Sequence, residues 1–374
     1  MRIAVNVRLL IKNKLDGIGW FTYETMKRIT KAHPEHEFVF IFDRKYDPSF
    51  LFSPNIIPVV VPPQTRRPLL WLAWFEISIP MVLKKHDVDL FLSPDGYLSL
   101  NTGKKQMSII HDINFHHRPM DLPFSTRLYY RKMFPLFAKK ATRLGTVSRY
   151  SKTDIMNAYG VNEGKIDIMY NGANEMYSPL TKDEIKETRE KYNAKAGYFI
   201  FIGTMHPRKN IARMLLAFDM FREKINVSFK MIIVGEKMFM TRDIEQVYSS
   251  MQFSEDVIFA GRKSPLELKY LLGSATALSF VPLFEGFGIP LVEAMYCDVP
   301  VITSNVTSLP EIAGEAAIYA DPYNVDSISN AMLTIFENIP LREKIIKSAR
   351  NQRNKYSWDK TAASLWSGIT KCFD

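Results

Sequence analysis

The sequence contains little cysteine and no long hydrophobic run, and both absences limit what the protein can be. Its 374 residues include two cysteines, Cys297 and Cys372, so a scaffold held together by several disulfides is excluded. The most apolar window, residues 68–80, carries Glu76 and is shorter than the ~20 residues that cross a bilayer. The opening residues MRIAVNVRLL have the pattern of a buried strand and not of a signal peptide. These features predict a soluble, cytoplasmic protein.

Compositionally biased tracts are also absent. The chain is 47% hydrophobic and 24% charged, with 17 Gly and 21 Pro. This composition excludes long disorder, collagen and repeat arrays. A length of 374 residues exceeds one ordinary core and suits two domains.

Acidic residues are scarce in the first half of the chain. Residues 1–175 hold 25 Lys and Arg against 16 Asp and Glu, whereas the remainder holds 24 against 23. Nearly all of the formal net charge of +10 therefore belongs to the first half. Such a field attracts nucleic acid, anionic lipid headgroups or a phosphorylated substrate. A basic, solvated surface without a partner is the alternative.

Short apolar runs alternate with helical patterns in both halves, which predicts parallel strands in doubly wound sheets. Among the predicted helices are 20–31, which follows a loop holding Gly17 and Gly19, then 69–85, and a segment near 181–193. We therefore expect an α/β protein with two Rossmann-like domains facing a central cleft, the first over 1–175 and the second over 176–355. A helix over 356–374 is expected to cross back to the first domain, and the polar stretch 171–190 is the expected linker. The predicted strands are 2–7, 38–42, 56–61, 90–92, 107–110, 144–147, 198–202, 230–234, 257–259, 277–280 and 299–302.

The strongest local signal is Phe201-Ile-Gly-Thr-Met-His-Pro-Arg-Lys-Asn210. A strand ends near Gly203, and a helix is predicted to begin near Asn210. Ligands of open α/β sheets bind at the carboxyl ends of strands, and helix N-termini favour anions. Arg208 and Lys209 add two cations, so this segment suits a diphosphate. A basic helix start exposed to solvent is the structural alternative.

A second signal is Glu285-Gly-Phe-Gly-Ile-Pro-Leu-Val-Glu293, which places two carboxylates around a strand-to-helix turn. Gly286 and Gly288 allow the backbone to approach a ligand closely. Carboxylates at such a turn accept hydrogen bonds from sugar hydroxyls. The alternative is a pair of surface glutamates near a helix start, where negative charge is favourable.

Taken together and in this order, Pro-Arg-Lys-Asn and Glu-x7-Glu resemble the GT-B glycosyltransferases of family 4, a likeness that extends over nearly the whole chain. Supporting segments in the first half are Asp16-Gly-Ile-Gly19, Ser108-Ile-Ile-His-Asp112, Thr146-Val-Ser-Arg-Tyr-Ser151 and Asn171-Gly-Ala. Those in the second half are Asn305-Val-Thr-Ser-Leu-Pro-Glu311 and Ala316-Ala-Ile-Tyr-Ala-Asp-Pro322.

The resemblance implies a role for each matching position. Arg208 and Lys209 would bind the nucleotide diphosphate, Glu293 the ribose hydroxyls and Glu285 the donor sugar. The residues implied as catalytic are His111, Arg208, Lys209 and Glu285. Those implied to bind the donor are Gly17, Gly19, Ser148, Gly203, Arg208, Lys209, Arg262, Glu285, Gly286, Phe287, Gly288 and Glu293, with the base near the turn 261–263.

Members of this family transfer a sugar with retention and generally without a metal, so the resemblance implies no cofactor.

Three other patterns in the sequence have both a functional and a structural interpretation. Asp87-Val-Asp89 matches a metal-binding motif of another fold, but its place before a strand favours a polar strand entry. The histidines 111, 116 and 117 could suggest a metal site, but no cysteine and no further well-spaced ligand accompanies them. The stripe 69–75 favours core packing, with membrane contact as a second role.

The leading hypothesis is a retaining glycosyltransferase that moves a hexose to a polysaccharide or glycolipid precursor. The mannosyltransferase-like branch fits best, which makes GDP-mannose the first donor candidate and a UDP-sugar the alternative. Its expected partners are a nucleotide-sugar donor, a glycan or lipid-linked acceptor and an anionic membrane surface at the inner face, and no nucleic acid. A non-catalytic polyanion-binding protein is the competing hypothesis. It explains the basic first half but not the motifs of the nearly neutral second half.

Overall fold

The computed structural model describes residues 1–236 and 242–374, and the chain forms two compact units. The first unit comprises Met1–Gly172 together with Ser357–Asp374, and the second comprises Ala173–Tyr356. Each unit alternates strands with helices and holds one parallel sheet, as Rossmann-like domains do. The predicted fold class is confirmed. None of the helices in these described ranges is both apolar and long enough to traverse a bilayer.

Seven strands form the sheet of the first unit, and apolar side chains dominate most of them. They are β1 (Arg2–Asn6), β2 (Glu37–Phe42), β3 (Ile56–Val60), β4 (Leu90–Ser93), β5 (Lys105–Ile109), β6 (Arg143–Thr146) and β7 (Ile166–Ile168). Their order is β3-β2-β1-β4-β5-β6-β7. Ile3 of β1 lies beside Phe38 on one side and Leu90 on the other, so β1 is a central strand.

The helices of the first unit include the last helix of the chain. They are α1 (Gly17–Ala32), α2 (Pro68–Ala73), α3 (Ile79–Lys85), α4 (Asn114–His117), α5 (Phe124–Lys140), α6 (Arg149–Tyr159) and α15 (Trp358–Thr370). Helix α15 packs on α1, where Arg28 pairs with Asp359 at 2.6 Å and Trp366 stacks on His33.

The second unit repeats the plan with six strands. They are β8 (Tyr198–Ile202), β9 (Lys230–Val234), β10 (Val257–Gly261), β11 (Ala277–Phe280), β12 (Val301–Ser304) and β13 (Ile318–Ala320), in the order β10-β9-β8-β11-β12-β13. Its helices are α7 (Lys182–Lys191), α8 (Ile211–Glu223), α9 (Arg242–Ser250), α10 (Pro265–Gly273), α11 (Ile289–Tyr296), α12 (Leu309–Ala313), α13 (Val325–Glu337) and α14 (Ile339–Gln352).

Two local expectations are wrong, and capping explains both. The expected loop at Gly17 and Gly19 is the first turn of α1, because the Asp16 carboxylate accepts a hydrogen bond from the Gly19 N–H at 2.9 Å. The expected linker 171–190 is shorter than predicted, because a capping box between Thr181 and Glu184 starts α7 within it, which confirms the helix expected near 181–193.

The apolar stripe 69–75 is divided between the core and the surface. Trp74 and Phe75 are completely buried, which confirms the predicted core packing. Leu69 is 80% exposed and Leu72 is 41% exposed. A five-residue π-helical segment, Trp74–Ser78, separates α2 from α3 where one continuous helix was predicted.

Candidate active site

The two motifs of the second unit follow neighbouring strands. Gly203 comes directly after β8, and Glu285 comes shortly after β11. The two strands pair in parallel, with Leu278 beside Ile200. The sheet continues from β8 to β9 on one side and from β11 to β12 on the other, so the strand order reverses here. Such a reversal is where open α/β sheets bind ligands.

Hydrogen bonds hold these two strand ends together. The Leu283 N–H donates to the Arg208 carbonyl at 2.8 Å. The Asn210 side-chain amide donates to the Val281 carbonyl at 3.1 Å and to the Pro322 carbonyl at 2.7 Å. Asn210, which the sequence analysis treated only as a helix start, is buried and fixes the end of the turn that carries both cations.

Arg208, Lys209 and Glu285 form one charged cluster at this edge. The Arg208 guanidinium donates to Glu285 Oε2 at 2.6 Å, and Lys209 Nζ donates to the same oxygen at 2.5 Å. The three side chains are 20%, 10% and 14% exposed, so water screens them poorly. Lys209 Nζ also lies 4.6 Å from the centre of the Phe280 ring. The fold thus joins residues that are 76 positions apart.

The cluster carries more positive than negative charge. Burial would raise the pKa of the Glu285 carboxyl, but the charges of Arg208 and Lys209 and their hydrogen bonds outweigh burial and lower it to about 2. Glu285 is therefore ionised at neutral pH. Two cations face one carboxylate, and the surplus positive charge is suited to an anion.

The backbone beside the cluster needs glycine at two positions. Gly203 has a φ of 152° and Gly288 a φ of 93°, values that other residues rarely adopt. A Cβ on Gly288 would lie 2.9 Å from a Leu309 methyl group. Gly286 and Phe287 are buried between Glu285 and the first residue of α11. The resemblance implies that their backbone lines the phosphates and sugar, which stays a prediction.

Glu293 lies on α11 and has a different environment from Glu285. Burial raises the pKa of its carboxyl to about 7, although a hydrogen bond from the Tyr177 hydroxyl opposes the rise. Tyr177 is 5% exposed and is a partner that the sequence analysis missed. Burial therefore favours the protonated form of Glu293, and a ligand that donates hydrogen bonds would favour its charged form.

Arg262 lies next to the end of β10 and is 41% exposed. Its guanidinium pairs with Glu236 at 3.0 Å. This pair adjoins the turn 261–263, where the resemblance expects the nucleotide base. The role of Arg262 stays a prediction.

Three predicted residues of the first unit lie near helix starts. Gly17 is the first residue of α1, and the Gly19 N–H is bound by Asp16. Ser148 is the N-cap of α6, where its Oγ accepts a hydrogen bond from the Ser151 N–H at 3.0 Å. Ser148 is completely buried, and capping is the role that the structure gives it.

His111 follows β5 with its ring held in a defined position. Its Nε2 lies 2.8 Å from the Pro94 carbonyl, and Phe21 meets the ring edge-on. Burial lowers the pKa of His111, so the ring is neutral at pH 7. Because the carbonyl requires a proton on Nε2, the Nδ1 atom carries a lone pair.

The first unit also contains a buried polar network that the sequence analysis missed. Arg8 Nε donates to Asp95 Oδ2 at 2.6 Å, and the Asn6 amide donates to Asp95 Oδ1 at 2.8 Å. Arg8 and Asp95 are 7% and 5% exposed, and the guanidinium lies 4.3 Å from the Tyr97 ring centre. An arginine two residues beyond a buried strand was the available signal. The network lies at the ends of β1 and β4, which is the strand reversal of the first sheet.

The patterns weighed as metal sites have other partners. Asp89 accepts a hydrogen bond from the Arg2 N–H at 2.8 Å, and Asp87 pairs with Lys104, as expected of a polar strand entry. His117 Nε2 lies 2.8 Å from an Asp154 oxygen. Within residues 1–236 and 242–374, no three His, Cys, Asp or Glu residues form a group that could hold a metal ion.

Several solved structures with a similar fold are named glycosyltransferases. A glycosyltransferase from Rickettsia africae superposes with a TM-score of 0.76 at 17% identity, over 100% of this chain and 98% of that one. Anabaena Alr3699/HepE in complex with UDP and glucose gives 0.77 at 15% identity, over 99% and 100%. At these identities the likeness concerns the fold.

Sequence relatives and family models cover both units. The O-antigen chain mannosyltransferase B of Escherichia coli is 27% identical over 93% of this chain and 94% of its own length. The O-antigen chain mannosyltransferase RfbU of Salmonella typhimurium is 28% identical over 82% and 80%. The model of glycosyltransferase family 4 matches residues 15–175, and that of glycosyl transferases group 1 matches residues 182–352. The chain is therefore a glycosyltransferase of family 4 with the GT-B fold.

Proposed function

We propose that this enzyme transfers a hexose from a nucleotide-sugar donor to a polysaccharide or glycolipid precursor, with retention at the anomeric carbon. The observation that carries the proposal is the cluster of Arg208, Lys209 and Glu285 at the strand reversal of the second sheet. Family membership favours this enzyme over a non-catalytic polyanion-binding protein.

The cluster stabilises the departing diphosphate. Without ligand, Glu285 partly neutralises Arg208 and Lys209. A donor diphosphate brings more negative charge than one carboxylate and competes for the same two cations. As the bond to the sugar breaks, charge grows on the diphosphate, and fixed cations in a poorly hydrated site stabilise it strongly. Glu285, relieved of its partners, accepts hydrogen bonds from the donor sugar.

Glu293 and His111 have supporting roles in this proposal. Glu293 binds the ribose hydroxyls, and Tyr177 holds its carboxyl in place. Hydroxyl donors favour the ionised carboxyl, so ribose binding lowers the pKa of Glu293. We assign His111 to the transferred sugar, because its neutral, oriented ring has an Nδ1 lone pair that can accept a hydroxyl hydrogen bond.

GDP-mannose is the first candidate donor, because relatives that cover most of the chain are named mannosyltransferases. A UDP-sugar is the second, because a protein of this fold is known with UDP-glucose bound. The proposed acceptor is a glycan or lipid-linked precursor, since those relatives are named for the O-antigen chain.

Two further properties belong to the proposal. Transfer needs no metal, because Arg208 and Lys209 supply positive charge where a metal would otherwise offset the phosphates. The first unit contacts an anionic membrane surface peripherally, at its inner face, and the excess of 25 basic over 16 acidic residues in 1–175 supports this contact.

A thermal-shift panel tests the donor assignment. GDP-mannose, UDP-glucose, UDP-galactose and ADP-glucose are each added to the full chain. A donor that binds only the folded state must raise the unfolding midpoint. We expect GDP-mannose to give the largest rise. A largest rise with UDP-glucose or UDP-galactose would replace mannose by a UDP-linked sugar, and no rise with any donor would overturn the proposal.

A further inference from the structure

A cavity of about 420 Å³ lies in the first unit, apart from the residues assigned above. Its walls come from α4, from the turn after it, from the start of α5 and from the end of α6. This volume is within the range of small-molecule sites. The residues that the argument uses are Phe115, Phe124, Arg127, Leu128, Arg131 and Tyr159.

One face of α5 lines this cavity with alternating apolar and basic side chains. Phe124, Arg127, Leu128 and Arg131 are spaced i, i+3, i+4 and i+7, so they share one side of the helix. Phe124 is 70% exposed and Leu128 is 57% exposed, although the opposite face of α5 is buried in the core. Large apolar side chains this exposed beside a cavity indicate a surface that a ligand covers.

Neither arginine has a carboxylate partner in the part of the chain that the structure describes. The Arg127 guanidinium donates to the Met120 sulfur at 2.8 Å and lies 5.3 Å from the centre of the Phe124 ring, and both of these groups are neutral. No ion pair to Arg127 or Arg131 occurs in residues 1–236 and 242–374. Helix α5 carries five cations and no acidic residue. This side of the cavity therefore complements an anion.

Tyr159 provides an independent observation. It lines the cavity, is 5% exposed, and its hydroxyl has no hydrogen-bond partner among the described residues. Buried hydroxyls are nearly always paired, because an unpaired one costs free energy. The nearby Asp154 carboxylate lies 2.8 Å from His117 Nε2 through its Oδ1 atom, whereas its buried Oδ2 atom, like the Tyr159 hydroxyl, has no hydrogen-bond partner among the described residues. A polar group of a ligand is the natural partner for the Tyr159 hydroxyl.

We propose that this cavity binds a lipid phosphate, meaning a phosphate or diphosphate ester of a hydrocarbon chain. Its phosphate lies between Arg127 and Arg131 and accepts a hydrogen bond from Tyr159, and its chain covers Phe115, Phe124 and Leu128. A nucleotide is disfavoured, because the exposed apolar residues match a flexible hydrocarbon chain. The inference rests on the proposed function, in which a lipid-linked precursor is an acceptor.

Calorimetric titration of the full chain with decyl phosphate, below its micelle concentration, tests the proposal. Decan-1-ol and inorganic phosphate are the matched probes that lack one half of the ligand. We expect decyl phosphate to bind about tenfold or more tightly than either, since each half supplies a separate contact. Equal binding of inorganic phosphate would reduce the cavity to an anion site, and equal binding of decan-1-ol would reduce it to an apolar pocket. Either result overturns the proposal.

Two double variants distinguish binding in the cavity from attraction by the overall positive charge of α5. Arg127→Ala/Arg131→Ala should weaken decyl phosphate binding about tenfold or more. The control Lys132→Ala/Lys140→Ala removes the same charge from α5 outside the cavity and should leave binding unchanged. Equal losses of decyl phosphate binding in the two double variants would mean that the general charge of α5 is responsible. Binding only to phosphatidylcholine vesicles that contain phosphatidylglycerol would mean docking on a charged bilayer. Either result would overturn the proposal.

Tyr159→Phe distinguishes a hydroxyl that binds the ligand from one that stabilises the fold. Removing an unpaired buried hydroxyl should leave the unfolding midpoint unchanged or raise it, while weakening decyl phosphate binding. A lower midpoint with unchanged binding would mean that the hydroxyl is paired within the protein, which contradicts the proposal. Binding of GDP and UDP is measured in the same samples. In the wild type, nucleotide binding without decyl phosphate binding would overturn this inference alone, and decyl phosphate binding without nucleotide binding would overturn the proposed function alone.

Discussion

The two sheets reverse their strand order in the same way, at β1 and β4 in the first unit and at β8 and β11 in the second. The side chains that follow these strands differ. In the first unit, Arg8 and Asp95 form a buried one-to-one ion pair. In the second, Arg208 and Lys209 share one carboxylate.

This difference separates a stabilising network from a binding site. A buried ion pair with equal and opposite charges has no net charge left for a ligand, so removing one partner should mainly lower the stability of the fold. A cluster with two cations and one carboxylate retains positive charge, so removing one cation should mainly reduce ligand binding and transfer. The same backbone topology therefore serves both purposes, and the residues at the strand ends decide which.

Breaking the first network should have the largest effect on stability. Asp95→Ala leaves the Arg8 guanidinium buried without its carboxylate, which costs about 3–5 kcal/mol in such pairs. Calorimetric unfolding measures the loss. The control Glu37→Ala removes an exposed carboxylate paired with Arg2 and should cost less than about 1 kcal/mol. Equal losses in the two variants would show that burial of the pair is unimportant.

Breaking the second cluster should reduce transfer instead. Arg208→Ala and Lys209→Ala each remove one contact to the departing diphosphate and should lower turnover by roughly 10²–10³-fold. Each variant should stay folded, because Glu285 keeps its other cation. Steady-state transfer measures the effect, with Lys224→Ala as an exposed control on the same unit. Near-normal turnover in both variants would contradict the phosphate site.

Glu293 should make stability and nucleotide affinity depend on pH. Its carboxyl has a pKa of about 7 when folded and 4.5 ordinarily, so the folded state holds the extra proton and loses stability as the pH rises from 4.5 to 7. Glu293→Gln should remove a pH-dependent change in stability on the order of 3 kcal/mol. GDP affinity of the wild type should increase between pH 6 and pH 8, because ribose hydroxyls prefer the carboxylate. Unfolding and titration at several pH values measure both.

The control for this prediction is Glu187→Gln, an exposed glutamate of α7. It should keep the pH dependence of the wild type. Glu293→Gln with an unaltered slope in both measurements would show that Glu293 is neither buried in its protonated form nor in contact with the ribose.

A chelator should have the smallest effect of all. With Arg208 and Lys209 offsetting the phosphate charge, EDTA is expected to leave turnover essentially unchanged. Assays with and without the chelator measure this directly. A complete loss that Mn²⁺ or Mg²⁺ restores would assign the charge balance to a metal.

The buried strands could be predicted from the sequence because parallel strands are continuous apolar runs. The bounds of β8, β9 and β11 agree with the prediction. The sequence analysis missed β7 and β13, which are edge strands of three residues and too short for a hydrophobic pattern. It placed Gly17 in a loop, because a side-chain cap from Asp16 is not visible as periodicity.

The candidate site was predictable as motifs but not as a set of contacts. Arg208 and Lys209 were identified by their place after a strand. Their pairing with Glu285 depends on β8 and β11 being neighbours, and no local pattern encodes that adjacency. The Arg8–Asp95 pair was missed for the same reason, since each residue alone resembles an ordinary polar strand end.

The most direct test of the central claim is a calorimetric titration of GDP and UDP into the wild type, Arg208→Ala and Glu285→Gln. Because the diphosphate and Glu285 compete for the same cations, Glu285→Gln should bind the preferred nucleotide as tightly as the wild type or more tightly. Arg208→Ala should bind it about tenfold or more weakly. Unchanged affinity in Arg208→Ala, with binding to the wild type established, would contradict the assignment of this cluster to the donor diphosphate.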